Sequence, residues 1–434
     1  MQSSDCTFSG VFTVSRPALQ INSDRLWSTL EEMAKIGATP AGGCNRQALT
    51  DLDRQARDLF VHWAQEAGCT VEIDEVGNIF ARREGTEPDA PAVLAGSHLD
   101  TQATGGKYDG VYGVLAGLEV LRVIHENAIA TRAPLEVAVW TNEEGCRFAP
   151  AMLGSGVVSG AYTRDFAYDV QDKSGLRLRD ELERIGYMGE RAAAPRPYAA
   201  MFEAHIEQGP ILEKEGLTIG AVTGIQGAYW FDVTFTGQSC HAGPTPMEMR
   251  RDPWDAALPV MAGVLALARA NGPWGRATIG DVRAEPGSRN TVPNTLTVSI
   301  DIRHPDADTL EEMVGQLRAL VELECSAHTI ESKIEQVWHM PATAFDPALV
   351  ECVASAADRL GYSWMRMVSG AGHDSLHTAQ FAPTTMIFVP CADGLSHNEA
   401  ESATISDLAA GANVLLQVML EMASEVPAHL TIAA

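Results

Sequence analysis

The chain has 434 residues, too many for one ordinary core, so two domains are expected. Apolar residues make up 46% of it, enough to bury such cores. Lys and Arg number 31 against 57 Asp and Glu, and the resulting formal charge of −26 argues against nucleic acid and anionic lipid as partners. An anionic substrate would have to be caught by local positive charge.

The stretch Met1–Gln20 lacks a basic start followed by a long apolar core, so no signal peptide is expected, and no stretch approaches the apolar length of a membrane span. The cysteines (Cys6, Cys44, Cys69, Cys146, Cys240, Cys325, Cys352 and Cys391) are scattered without a Cys-x-x-Cys pair. That usage suits reduced thiols in a cytoplasmic protein better than a disulfide framework or a thiolate zinc site.

Taken in order, residues 1–21 read as a loosely packed arm. A helical pattern runs from Ser23 to about Ile36, with Asn22 or Ser23 as N-cap and Gly37 as its stop, and a second from about Thr50 to Ala67. Short strands at 70–74 and 78–82 flank the Val76-Gly77 turn. The chain then alternates: strand 92–96, helix 111–125, strand 135–141, helix 175–185, strand 200–204. This rhythm predicts an α/β fold with a mixed sheet, parallel in large part. It breaks near Gly224, where strand 228–236, helix 253–270, strands 276–283 and 294–303, helix 308–325 and strand 330–338 follow. That βαββαβ order is expected to form a small inserted domain over residues 223–339, between parts 1–222 and 340–434 of the larger domain. After Pro341 come helix 347–360, strand 384–389 and a closing helix from 406 to 423.

Four apolar runs share an ending. Residues 92–95, 135–140, 200–204 and 384–389 lead to His98 with Asp100, Glu143 with Glu144, His205 with Glu207, and His397 with Glu399. Asp109 lies in the glycine-rich turn after the first. Ligands of open α/β sheets bind outside the carboxyl ends of the strands, so these endings can converge on one crevice. A single histidine there is usually a hydrogen-bonded loop residue; four coincident endings point to a metal site. Histidines and carboxylates without clustered cysteine suit zinc, manganese or cobalt. Glu143 and Glu144 can face one site only if the backbone turns, which Gly145 permits. One would then bind metal and the other carry a proton, and the pattern leaves open which. Gly237-Gln-Ser-Cys-His241 lacks a nucleophile elbow. Ser369-Gly-Ala-Gly372-His373-Asp374 lacks dinucleotide spacing and reads as an anion-holding turn.

The motifs His98-Leu-Asp-Thr, Gly-Gly-Lys-Tyr-Asp109-Gly, Asn-Glu143-Glu144-Gly, His205-Ile-Glu-Gln-Gly and Leu-Ser-His397-Asn-Glu, in this order, resemble the hydantoinase/carbamoylase amidohydrolases. That family includes N-carbamoyl-L-amino-acid hydrolases, β-ureidopropionases and allantoate amidohydrolases, within the wider group of di-metal aminoacylases and peptidases. The resemblance covers about residue 22 to the C-terminus, and its wording lies nearest the β-ureidopropionase and carbamoylase branches. It implies two divalent ions (Zn, Mn or Co) bridged by Asp109, with His98 and His205 on one and Glu144 and His397 on the other. Glu143 becomes the general base acting on a metal-bridging hydroxide, and Asp100 the group that orients His98 through its other ring nitrogen. By the same analogy His241 serves catalysis, often across a dimer interface, and Asn290 and Arg303 grip the substrate carboxylate. Gln208, Gly372 and His373 are further substrate contacts.

The implied activity is cleavage of the carbamoyl C–N bond of a small anionic N-carbamoyl amino acid, in a homodimer paired through the inserted domain. The resemblance thus makes residues 1–222 and 340–434 a catalytic domain and the inserted domain its lid and dimerisation domain. Allantoate or ureidoglycolate hydrolysis, an aminoacylase or dipeptidase, and a non-catalytic metal-binding relative are the alternatives.

Overall fold

The structure, a computed structural model, describes residues 19–424, so the arm expected over residues 1–21 lies almost wholly outside it. Its strands in chain order are β1 (Thr70–Ile73), β2 (Ile79–Arg83), β3 (Ala92–His98), β4 (Leu135–Trp140) and β5 (Tyr198–Ile206). There follow β6 (Ile219–Ile225), β7 (Gly227–Thr236), β8 (Cys240–His241), β9 (Arg276–Glu285) and β10 (Thr291–Val292). The last are β11 (Thr295–His304), β12 (Glu331–Met340), β13 (Thr343–Ala344), β14 (Trp364–Ser369) and β15 (Thr384–Val389).

Nine of these build one mixed sheet in the order β1-β2-β4-β3-β5-β15-β6-β13, with β14 joined to β6. Strands β4, β3, β5 and β15 run parallel at its centre and β1, β2, β6 and β13 add antiparallel pairings. The central strands are buried along their whole length. A strand covered on both faces must be continuously apolar, which is why these runs read so plainly in sequence. Their common direction brings the ends of β3, β4, β5 and β15 to one edge. The helix Val111–Glu126 follows β3 and packs on it.

A second sheet, β12-β7-β11-β9, runs antiparallel between Gly227 and Met340. Strand β11 alternates half-buried with buried positions, because only one face is covered by the helices Trp254–Ala270 and Ala307–His328. Phe231, Val233, Phe235, Val260, Val298 and Leu317 belong to a core separate from that of the nine-stranded sheet.

Several elements depart from the sequence reading. The first helix is Ser23–Met33, three residues shorter than expected, and Asn22 is its cap, accepting from the Arg25 N–H. The helix expected from 175 begins at Leu178, because the Asp172 carboxylate accepts from the N–H groups of Ser174 and Leu176 and holds that segment as a turn. Strands β6, β13 and β14 and the short helices Leu153–Ser159 and Arg164–Asp169 were not foreseen. The helix Ile405–Ser424 is long and apolar enough to cross a membrane by composition, against the expectation that no stretch approaches that length. It lies against the main sheet and is largely buried there. The seven described cysteines are free.

Candidate metal centre

Local backbone geometry places each acidic and imidazole group. His98 closes β3, and its ring lies across Gly110 at the head of the following helix. Gly110 has φ 68, and a Cβ there would stand 2.3 Å from the His98 ring. Asn142 (φ 56) and Gly145 (φ 63) bracket the two glutamates after β4, so the chain turns sharply there. As a result Glu143 faces His98, with Oε2 3.5 Å from its Nε2, while Glu144 faces His397, Oε2 to Nε2 3.3 Å. Both carboxylates therefore reach one cluster.

Asp109 stands at its middle. Its Oδ1 lies 3.2 Å from His205 Nε2 and 3.6 Å from His98 Nε2, and its Oδ2 lies 3.5 Å from His397 Nε2. Two ligand triplets result, His98–Asp109–His205 and Asp109–Glu144–His397, sharing the one aspartate. Donors about 2.0–2.1 Å from a tetrahedral ion stand about 3.3–3.4 Å from one another, close to the separations seen here.

The donors fit such ions in chemistry as well as spacing. His98 and His205 each give Nδ1–H to a main-chain carbonyl, of Asp100 and Ile206 respectively, at 2.8 Å. That bond fixes the tautomer and turns each Nε2 lone pair into the cluster. His205 Nε2 also accepts from the Gly110 N–H at 3.1 Å. Among the described residues no Lys or Arg pairs with Asp109, Glu143 or Glu144, so only imidazoles of the chain itself offset these buried carboxylates, and divalent cations would complete the balance.

The electrostatics say the same. Burial pushes the Glu143 carboxyl well above the usual range, and the nearby Asp374, Glu144 and Asp109 add to this against His98. Burial and Asp109 push Glu144 up to about 8. Burial opposes ionisation of Asp109 too, yet His205 and His98 hold it well below the ordinary value. Burial works against charge on His98, but Glu143, Asp109 and the other carboxylates raise it well above its usual value. His205 is raised for the same kind of reason, chiefly by Asp109.

Asp100 does meet the other ring nitrogen of His98, but by a main-chain atom: its backbone carbonyl reaches Nδ1, while its carboxylate stands 4.0 Å away. The carboxylate instead accepts from the backbone N–H groups of Glu143 (3.3 Å) and Glu144 (3.2 Å). Asp100 therefore supports both glutamates and the histidine at once.

Gln208 joins the cluster, donating from Nε2 to Asp109 Oδ2 at 2.8 Å, from a backbone with φ 57. Its Oε1 is buried without a partner. His373 lies edge-on to His205, ring centroids 4.6 Å apart, and burial with His205 nearby pushes its imidazole well below the usual value. Gly372 stands beside Met152 and Met340. Arg303 reaches the same glycine-rich turn from the second sheet, Nη1 to the Gly370 carbonyl at 3.3 Å. His241 and Asn290 are not brought to the cluster. His241 ends β8 and Asn290 directly precedes its partner strand β10, and both are exposed.

Glu207 and Glu399, which ended two of the apolar runs, are not among the triplets. Glu207 caps the helix Ile211–Glu215, accepting from the N–H groups of Ile211 and Leu212. Glu401, which the sequence reading missed, is buried behind Asp109. It accepts from the backbone N–H groups of Tyr108 (2.8 Å) and Asp109 (3.1 Å), and from Ser396 Oγ (3.0 Å), which lies 2.6 Å from Asp109 Oδ2. Its only sequence signal is its place four residues after His397.

Residues 94–421 match the peptidase family M20/M25/M40. The chain belongs to that family. An N-carbamoyl-L-amino-acid amidohydrolase of Rhizobium meliloti is 48% identical over 404 residues, 93% of this chain and 97% of that one. An allantoate amidohydrolase of Bacillus subtilis is 33% identical over 396 residues, 91% of this chain and 96% of that one. Among solved structures, a hydantoinase/carbamoylase-family amidase from Burkholderia multivorans superposes with TM-score 0.91 at 51% identity, covering 94% of this chain and 100% of that chain. The chain is thus an amidohydrolase of the hydantoinase/carbamoylase group, an enzyme acting on C–N bonds, in a metal-dependent family.

Proposed function

We propose that the enzyme removes the carbamoyl group from N-carbamoyl-L-amino acids, releasing ammonia, carbon dioxide and the free amino acid. The Rhizobium meliloti relative supports the substrate class, and the observation that carries the hydrolytic chemistry is the unequal treatment of two adjacent glutamates. Glu144 is tied down, accepting from the Gln102 N–H (3.0 Å) and Nε2 (2.7 Å) while facing His397. Glu143 has its nearest charged partner, His98, at 3.5 Å and is raised in pKa by burial. One is built as a ligand and the other as a proton carrier.

His98, His205 and Asp109 would hold one divalent ion, and Asp109, Glu144 and His397 a second. Such ions supply Lewis-acid charge and lower the pKa of water toward neutrality. Glu143 takes the proton from the attacking water and delivers it to the departing nitrogen. Arg303 holds the substrate carboxylate by a charge-assisted fork, which is how an acidic protein retains an anion. His373 and Gln208 border the reacting group. His241 and Asn290, exposed within their own chain, fit a role at the site of a second copy, so the working form proposed is a cytoplasmic homodimer joined through the inserted domain.

Ammonia release measured across several N-carbamoyl-L-amino acids, N-carbamoyl-β-alanine, allantoate and a dipeptide, with zinc, manganese or cobalt added, tests this. The N-carbamoyl-L-amino acids should lead in kcat/KM by about tenfold or more. Allantoate in the lead would replace this reading with the second one, which the Bacillus subtilis relative supports.

A further inference from the structure

Arg303 does not stand alone on the uncovered face of the second sheet. Asp301, two positions earlier on β11, shares its face and takes one side of the guanidinium. Arg303 Nε lies 2.9 Å from Asp301 Oδ1, and Nη2 lies 2.8 Å from Oδ2. Nη1 donates to the Gly370 carbonyl. A guanidinium has five N–H groups. Two go to Asp301 and one to Gly370, which leaves one on each terminal nitrogen, the two donors that a bidentate carboxylate contact uses.

Asp301 is itself held. It pairs directly with Trp230 across the strands β11 and β7, and the indole Nε1–H donates to Asp301 Oδ2 at 2.9 Å. Trp230 in turn packs on Trp338 of β12, ring centroids 4.5 Å apart. A large aromatic pair therefore backs a carboxylate, which backs the arginine, which meets the turn leading to His373.

We propose that Asp301, fixed by Trp230, is a positioning residue for substrate recognition. It immobilises one edge of Arg303 and reserves the remaining two donors for the substrate carboxylate. Without it the long side chain would sample many rotamers and lose entropy on each binding event. This rests on the reading that Arg303 receives the substrate carboxylate.

The test is steady-state kinetics of the full-length, metal-loaded enzyme on its best N-carbamoyl-L-amino acid. Asp301→Asn should raise KM about tenfold with kcat within about twofold, the signature of lost uniform binding. Trp230→Phe, which removes the indole donor but keeps the ring, should raise KM about threefold and serves also if the first variant folds poorly. In an Arg303→Lys background Asp301→Asn should add little, because the fork it positions is gone. An unchanged or lowered KM in Asp301→Asn, or fully additive effects in the double variant, would overturn the proposal. An Arg303→Lys enzyme with unchanged KM would instead refute the carboxylate reading of Arg303 itself.

Discussion

The strand-end cluster and the inserted sheet solve opposite problems. His98 and His205 belong to buried strands, Asp109 and Glu143 lie buried in the turns that follow β3 and β4, and hydrogen bonds within one chain already aim the two histidines. Arg303 sits half-buried on a separate sheet with its own core, and His241 and Asn290 are exposed at the small β8–β10 pairing between β7 and β11. Reacting groups need sub-ångström placement in a dry setting, and a packed parallel sheet supplies it. Recognition groups must let substrate in and close around it, which favours a distinct body that can move. The difference predicts that damage to the first region removes turnover, with metal lost where a ligand is lost, whereas damage to the second changes affinity.

The largest effect belongs to Asp109, the one residue in both triplets. Asp109→Asn should lower turnover on the order of 10⁴-fold or more and drop bound metal below one ion per chain by elemental analysis after dialysis. Retention of two ions would show that the triplets do not share it. Glu143→Gln comes next: turnover about 10²–10⁴-fold lower with metal content unchanged. Loss of metal in that variant would make Glu143 a ligand and erase the distinction drawn between the two glutamates; near-normal turnover would remove it as the base.

Which parts were legible in the sequence follows from the same contrast. Strands β3, β4, β5 and β15 are buried on both faces, so their apolar runs are continuous and their polar endings stand out. Strands β6 and β14 lack a continuous apolar run, β6 being interrupted by Gly220 and Gly224 and β14 by the exposed Arg366. Glu401 escaped notice because its work is on backbone N–H groups nearly three hundred residues away, a relation no local spacing records. Glu207 misled for the converse reason: it follows a strand as a ligand would, yet caps a short helix. Asp100 carries its histidine on its carbonyl, an atom every residue has, so side-chain type could not reveal that route.

The mildest effect is a pH dependence confined to the first region. With metal stripped by a chelator, Glu144 has a pKa of about 8 and Glu401 about 7, both raised mainly by burial, against an ordinary 4.5. A carboxyl with a raised folded pKa favours the folded state fully below its unfolded pKa and loses that contribution as pH rises through the folded value. His98, raised by surrounding carboxylates, contributes in the same sense. Asp109 is shifted the other way, so its contribution falls away only in strong acid, outside this window. The chelated protein should therefore melt several degrees lower at pH 8.5 than at pH 6 by calorimetry. Bound divalent ions replace those protons and bind more tightly as pH rises, so the loaded enzyme should show a flatter profile. A chelated protein that is equally stable at both values would mean that the buried carboxylates are already compensated within the chain. A cluster so compensated would lose the main electrostatic reason for holding metal. Arg303 and Asp301 lie on the other sheet and leave this pH profile untouched, so Asp301→Asn should reproduce the wild-type melting curves while changing KM.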